Sequence, residues 1–397
     1  MKLRHLRYRL LSHITFGKMK QHYKRKWKEV KLKKYPVASK EINRKNVYNL
    51  DQKNLNIAIK LEGGLGDFII AANFLYKFSE KFKNENVRID IFVSSKIDAS
   101  NALFFNRKFF SNLYCSPNDI GLKDERYDLY ILILRKTYIL HAKRNKIYKY
   151  SPSLFDLVQS IEKDNAIHKR LFDLRPFCDG QAIITACIKN HKRYQEADID
   201  EFLQLSSSFD FIPELSNVCF PNLNVNSEKF ISIHRGVDVT KTSNSVKQWP
   251  VAYYNILISK IKTEYPNLKI IQLGASRERC PIFNNIDVDL VGKTNLEEIK
   301  VILKNSLLHI DGEGGMVHLR HALRGGKSLV IFGPTSADFY GYPENVNITG
   351  SGCLKSGCEW LTEKWQERCA RGYGCHPCMY SITPEKVFDE FKKNMEF

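Results

Sequence analysis

Three short stretches place chemically capable side chains beside glycines. The first is Gly63-Gly64-Leu65-Gly66-Asp67. Glycines let backbone approach a ligand closely, and a helix start beyond them favours an anion. Asp67 puts a carboxylate at that edge, suited to taking a proton or to capping the helix. The spacing is not G-x-G-x-x-G and no acid follows where a ribose would be held, so a nicotinamide site is not indicated. The second stretch is His234-Arg235-Gly236, a polar loop at 239–245, then Lys247-Gln248-Trp249-Pro250. Pro250 suits a first helical turn, and Lys247 before it adds a full charge to the dipole's positive end. That setting suits a diphosphate, although a solvated lysine beside a core tryptophan fits the residues equally well. The third is Asp311-Gly312-Glu313-Gly314-Gly315-Met316-Val317-His318. Gly314 and Gly315 open backbone N–H groups to a sugar or phosphate, Glu313 can accept hydrogen bonds from sugar hydroxyls, and His318 enters a helix. Phe332-Gly333-Pro334-Thr335 then ends the next strand, on the side where such sheets bind ligands.

The elements that must position these residues read as α/β. Leu55–Leu61, Val87–Val93 and Tyr127–Leu134 are buried-strand runs, with helical patterns after the glycine loop and over Ser153–Ile161. A second block begins near residue 229. Its strands are expected at Phe230–His234, Leu268–Leu273, Leu307–Asp311 and Ser328–Phe332, and its helices at Pro250–Tyr265, Glu297–Asn305 and Gly314–Arg324. Thr383 and Pro384 open a last helix as N-cap and N1. Two such blocks predict two Rossmann-like domains facing across a cleft. The expected divisions are an arm at 1–50, a first domain at 51–228, a second at 229–382 and a terminal helix at 383–397. Asp198-x-Asp200 and Asp287-x-Asp289 resemble metal-binding triplets, but an acidic helical run and a strand loop account for them.

Composition narrows the function. The chain has 397 residues and a formal net charge of +19, with 43% hydrophobic residues. That is globular, and no run approaches the roughly 18 apolar residues of a spanning helix. Residues 1–50 hold 16 lysines and arginines against Glu29 and Glu41, a local balance of +14, so the other 347 residues carry only +5. A basic arm mixed with Leu3, Leu6, Leu10, Ile14 and Trp27 suits an anionic membrane surface, or a leader packing on a partner subunit. Nucleic acid is not expected, because no recognition motif accompanies the charge. No apolar stretch follows the N-terminal cations as in a secretory signal, so a cytoplasmic protein, peripheral on the inner face of the membrane, is expected. Of ten cysteines, five crowd into 353–378: Cys353, Cys358, Cys369, Cys375 and Cys378. Such a cluster can clasp a structural Zn or Fe, or remain as packed thiols.

Taken together, Lys247-x-Trp249-Pro250, the acidic Gly-Gly-x-x-His-Leu turn at 313–319, Phe332-Gly333-Pro334-Thr335 and a cysteine-rich tail closing on Cys378-Met379 and Ile382-Thr383-Pro384-Glu385 resemble glycosyltransferase family 9. These are the ADP-heptose:lipopolysaccharide heptosyltransferases and their relatives, and the likeness runs over residues 55–395. The resemblance implies a GT-B fold, with an acceptor domain and a nucleotide-sugar domain. It implies inverting, metal-independent transfer, here of a heptose, from a nucleoside-diphosphate donor to a lipopolysaccharide or other cell-surface glycan. The family's base falls on Asp67, its diphosphate lysine on Lys247, its acidic turn residue on Glu313 and its helix-start histidine on His318. Gly63, Gly64 and Gly66 form the acceptor or phosphate loop. ADP-heptose is the favoured donor, and no cofactor is required for catalysis. The cysteine tail is similar to the metal finger of the autotransporter-modifying branch, which keeps a protein O-heptosyltransferase as an alternative. A third alternative is a basic-armed nucleic-acid-binding or scaffold protein with a non-catalytic GT-B fold.

Overall fold

β1 (Leu55–Leu61) is buried at every position, as expected for a parallel strand covered on both faces. Three residues later α1 (Leu65–Phe82) begins, its apolar face made by Phe68, Ala71, Ala72, Leu75 and Phe78. β2 (Val87–Val93), α2 (Ile97–Phe104), β3 (Asn112–Cys115), β4 (Leu129–Leu134) and β5 (Lys136–Ala142) follow, then α3 (Arg144–Tyr150) and α4 (Pro152–Phe172). The strands lie in the order β3-β2-β1-β4-β5. All neighbours are parallel except β4 and β5. The structure is a computed structural model. It describes residues 53–93, 97–104, 107–115, 126–134, 136–172, 193–194, 203–206, 208–220, 223–225, 227–236, 246–275, 280–353, 357–359 and 367–395. The basic arm, Asp198-x-Asp200 and the loop at 239–245 therefore lie outside the described residues.

The second sheet is built from β6 (Phe230–Ile233), α5 (Val251–Glu264), β7 (Lys269–Gln272), β8 (Val288–Asp289), α6 (Leu296–Asn305), β9 (His309–Gly312), α7 (Gly315–Ala322), β10 (Ser328–Phe332), α8 (Ala337–Tyr340) and β11 (Val346–Thr349). α9 (Pro377–Tyr380) and α10 (Pro384–Asn394) end it. Its order is β11-β10-β9-β6-β7-β8, parallel throughout. This is the doubly wound order, and the winding reverses between β6 and β9. Ligands of such sheets sit outside the carboxyl ends of those two strands. Gly236 follows one and Glu313 the other.

Packing ties the two halves together. One apolar cluster runs from β1, α1 and α2 into Phe230, Ile271, Ile302 and Leu319. The Lys300 ammonium on α6 donates to the Ala102 carbonyl at 3.0 Å and the Glu214 carbonyl at 2.6 Å. A second cluster under the other sheet holds Trp249, Tyr254, Phe388 and Phe391. Trp249 is a core residue, and its indole N–H donates to the Ile382 carbonyl at 2.8 Å. The terminal helix α10 docks on this cluster, capped by Thr383 as its sequence predicts. Gly333 and Met379 explain why two distant motifs occur together. A Cβ on Gly333 would lie 2.9 Å from the Met379 sulfur, so the strand end needs glycine for α9 to close on it.

Candidate active site

Asp67 occupies the third position of α1, and backbone geometry fixes its side chain. One carboxylate oxygen accepts the Gly64 N–H at 2.7 Å, which satisfies an orphan donor of the helix start. Gly63, at φ +116°, leaves room for this, since a Cβ there would lie 2.5 Å from the same oxygen. The other oxygen accepts the Tyr194 hydroxyl at 2.6 Å. Tyr194 is itself tied to α8. Its N–H donates to the Phe339 carbonyl at 2.9 Å, and its ring stacks on Phe339 at 5.3 Å. Sequence reading did not find Tyr194, because an isolated tyrosine in a charged stretch carries no pattern.

On the second sheet, Lys247 forms an ion pair with Glu313. His318 stands on α7 with its Nε2 at 4.0 Å from Glu313. Burial pulls the Lys247 ammonium down, but Glu313, Glu359 and Asp67 outweigh it and hold it above the usual lysine range. His318 is buried on all sides, and its Nδ1 lies 2.7 Å from the Tyr342 hydroxyl. Desolvation drives its pKa down to about 4, against the pull of Glu313 and Asp67. The ring is therefore neutral at pH 7 and takes part as a hydrogen-bonding group.

The starts of α1 and α7 meet at two glycines. A Cβ on Gly66 would lie 2.6 Å from His318 Cδ2, and one on Gly315 would lie 2.8 Å from Leu65 Cβ. These glycines serve close helix approach. The Gly64 N–H is engaged by Asp67, so the expected phosphate loop at 63–66 presents packing surface and a held carboxylate. Asp67, Lys247, Glu313 and His318 thus gather where the two sheets' carboxyl edges face one another. Gly314 opens α7 between them.

Below this layer lies a largely buried network. Asp311 accepts the Gly236 N–H at 2.7 Å and contacts His234 Nδ1 at 3.0 Å and His309 Nε2 at 3.3 Å. Burial alone would raise its pKa, but the two histidines hold it below the usual range. It fixes the turn after β6 against the turn after β9. Asp287 and Asp289 are occupied structurally. The first accepts the Ile270 N–H at 2.7 Å and the second pairs with Lys293 at 3.0 Å.

The cysteine segment contributes a residue that sequence reading did not single out. Glu359 is 1% exposed, and its N–H donates to the Pro334 carbonyl at 3.2 Å. Burial and Glu313 push its carboxyl up to about 8, against Lys247, the Ser336 amide and the Tyr340 hydroxyl. In the same segment, Cys353, Cys358, Cys369 and Cys378 lie within electrostatic range of one another. Burial, reinforced by the neighbouring thiols, raises Cys378 to about 11. Among the described residues no group of three or more His, Cys, Asp or Glu is arranged to hold a metal ion. The four sulfurs gather without forming a coordination set. Cys375 is exposed.

The neutral state of His318 sets a pH dependence. Its folded pKa of about 4 lies below the ordinary 6.5, so between those values the unfolded chain binds the proton and the folded chain does not. Stability contributed by this site is intact above pH 6.5 and falls as pH drops toward 4, by on the order of 3 kcal/mol. Urea unfolding at pH 7 and pH 4.5 should show a smaller difference in His318→Gln than in wild type. An equal difference in both would place the acid sensitivity elsewhere.

Residues 228–366 match the family model described as glycosyltransferase family 9 (heptosyltransferase). Over that stretch the chain is similar to the family 9 glycosyltransferases. Over 334 residues the chain is 25% identical to lipopolysaccharide heptosyltransferase 1 of Campylobacter coli, covering 74% of this chain and 88% of that relative. Its fold is similar to E. coli ADP-heptose lipopolysaccharide heptosyltransferase II, with TM-score 0.50 at 16% identity, over 85% of this chain and 98% of that one. It is also similar to TibC, an iron-containing dodecameric glycosyltransferase of enterotoxigenic E. coli, with TM-score 0.53 at 14% identity, over 87% and 77%. At these identities the solved structures show the shared fold, GT-B, which is the architecture the paired sheets were expected to make. Among the described residues, no helix is long and apolar enough to cross a membrane.

Proposed function

We propose that the protein is an inverting transferase that moves a heptosyl group from ADP-heptose to a hydroxyl of lipopolysaccharide or another cell-surface glycan. One observation carries this: Asp67, oriented by Gly64 and Tyr194, stands opposite a half-buried lysine–glutamate pair beside the start of α7. In the reaction, the acceptor oxygen bonds to the anomeric carbon as the bond to the diphosphate breaks. The acceptor proton passes to Asp67, and the electron pair leaves with ADP. The anomeric carbon passes through an oxocarbenium-like state, and one displacement inverts it. Lys247 and the amides of Gly314 and Gly315 stabilise the departing charge, as preorganised donors do. Lysine and helix start supply that positive charge without calling on a divalent cation. Glu313 and His318 border the sugar, the first as an acceptor and the second as a neutral hydrogen-bonding ring. The acceptor side is assigned to residues 51–228 and the donor side to 229–382.

The heptosyl donor is supported by the name of the Campylobacter coli relative. Thermal unfolding with ADP-heptose, GDP-, UDP- and CDP-sugars tests it. ADP-heptose at 100 times its Kd should add about 2.7 kcal/mol of apparent stability. A protein stabilised by none of them is not a sugar-nucleotide enzyme. The arm at 1–50 is assigned to the anionic inner face of the cytoplasmic membrane. Flotation with acidic liposomes should be lost on its removal, and equal flotation by both forms would refute the assignment.

A second reading, a protein O-heptosyltransferase with a structural Zn or Fe, is favoured by the gathering of Cys353, Cys358, Cys369 and Cys378. Elemental analysis of the purified protein decides it. One metal per chain, lost in Cys358→Ser, supports it, and metal-free active protein removes it.

A further inference from the structure

The cysteine segment delivers one carboxyl group into the site, and the proposed reaction leaves that group without a task. Gly357, at φ +82°, turns the chain so closely that a Cβ there would lie 3.4 Å from the Ser336 side chain. Cys358 and Glu359 then enter the interior beside the end of β10. The Glu359 Oε1 accepts the Ser336 N–H at 3.4 Å. Its Oε2 is buried and has no hydrogen-bond partner among the described residues, and the same holds for the neighbouring Thr335 Oγ1. Both residues are 1% exposed. Buried polar atoms in folded chains are nearly always paired, so two orphans side by side at the ligand edge of a sheet mark a place kept for a polar group from outside.

The surroundings say what kind of group. Glu359 faces Glu313 and Lys247, whose charges both act on it. The Glu313 and Glu359 carboxyls, the Thr335 and Tyr340 hydroxyls and an ammonium already paired with Glu313 present hydrogen-bond donors and acceptors together. Such a set suits a polyhydroxylated ring, whose hydroxyls can both donate and accept. We infer that Glu359 is a specificity residue that hydrogen-bonds a hydroxyl of the donor's glycosyl group, with Thr335 beside it. This rests on the transferase reading above and assigns the cysteine segment a part in donor selection.

Calorimetric titration with ADP and with ADP-heptose tests it, because the two ligands differ only in the glycosyl group. Wild type should bind ADP-heptose more tightly than ADP. Glu359→Ala should weaken ADP-heptose by about tenfold or more and leave ADP within about twofold, since a site built to pair a hydroxyl loses discrimination when its partner goes. Glu359→Gln, which keeps an oxygen and adds an amide donor, should stay within about threefold of wild type for both ligands. Glu359→Asp keeps the carboxyl but withdraws it by one methylene. It guards against a misfolded alanine variant and should lose the same selectivity. The inference is overturned if the Ala and Asp variants weaken both ligands equally or neither, or if wild type binds ADP and ADP-heptose alike. Wild type that binds neither ligand defeats the transferase reading itself, a different and recognisable failure.

Discussion

Asp67→Asn should lower kcat for ADP release in the presence of acceptor by about 10²–10⁴-fold while leaving donor affinity nearly unchanged, the range expected for loss of a general base. The substitution keeps the shape of the side chain. One oxygen remains to accept either the Gly64 N–H or the Tyr194 hydroxyl, which meet the carboxylate at 2.7 and 2.6 Å. What disappears is the capacity to take a proton. Because Asp67 stands on α1 and the donor pair on the turns before α5 and α7, ADP-heptose binding measured by calorimetry should survive. That separates a base from a residue that merely shapes the site. Tyr194→Phe gives the graded control: it frees one oxygen and unfixes the rotamer, so its loss in kcat should be smaller. An Asp67→Asn enzyme with wild-type turnover would move the base to another group and undo the mechanism.

Much of this site was legible in the sequence, and the residues show why the rest was not. Strands β1, β2 and β10 begin and end at the residues that apolar runs and glycines indicate. Such strands are buried on both faces, so the signal is strong. β5 left no trace, because KTYILHA follows β4 after a single residue with no Gly, Pro or Asn to mark a hairpin. Asp67, Lys247, Glu313 and His318 stand out in the sequence because each lies near an element end with glycine or proline close by, where local chemistry shows in the chain. Tyr194 and Glu359 reach the site only through tertiary packing, one by stacking on α8 and the other by a turn in the cysteine segment. Gly66 and Gly315 were visible as glycines, but their purpose was not. That they let two helix starts touch is a fact about partners 249 positions apart in the chain.

Lys247→Met carries the other large effect, and it divides into two parts that can be measured separately. The Lys247 side chain is 18% exposed and that of its partner Glu313 only 9%, so removing the cation strands a nearly buried carboxylate. Breaking a buried pair from one side costs about 3–5 kcal/mol, and the partial exposure of Lys247 places this case at the lower end. The same change removes the charge that meets the diphosphate, for which a loss of about 10²–10³-fold in kcat/KM is expected. A single variant confounds the two. In Lys247→Met/Glu313→Gln the stranded charge is gone, so denaturant unfolding should return most of the lost stability while kcat/KM stays low. If activity returned together with stability, Lys247 would matter only as a counter-ion for Glu313. Leaving-group stabilisation would then fall to the amides at the start of α7, whose eight residues from Gly315 to Ala322 also position His318.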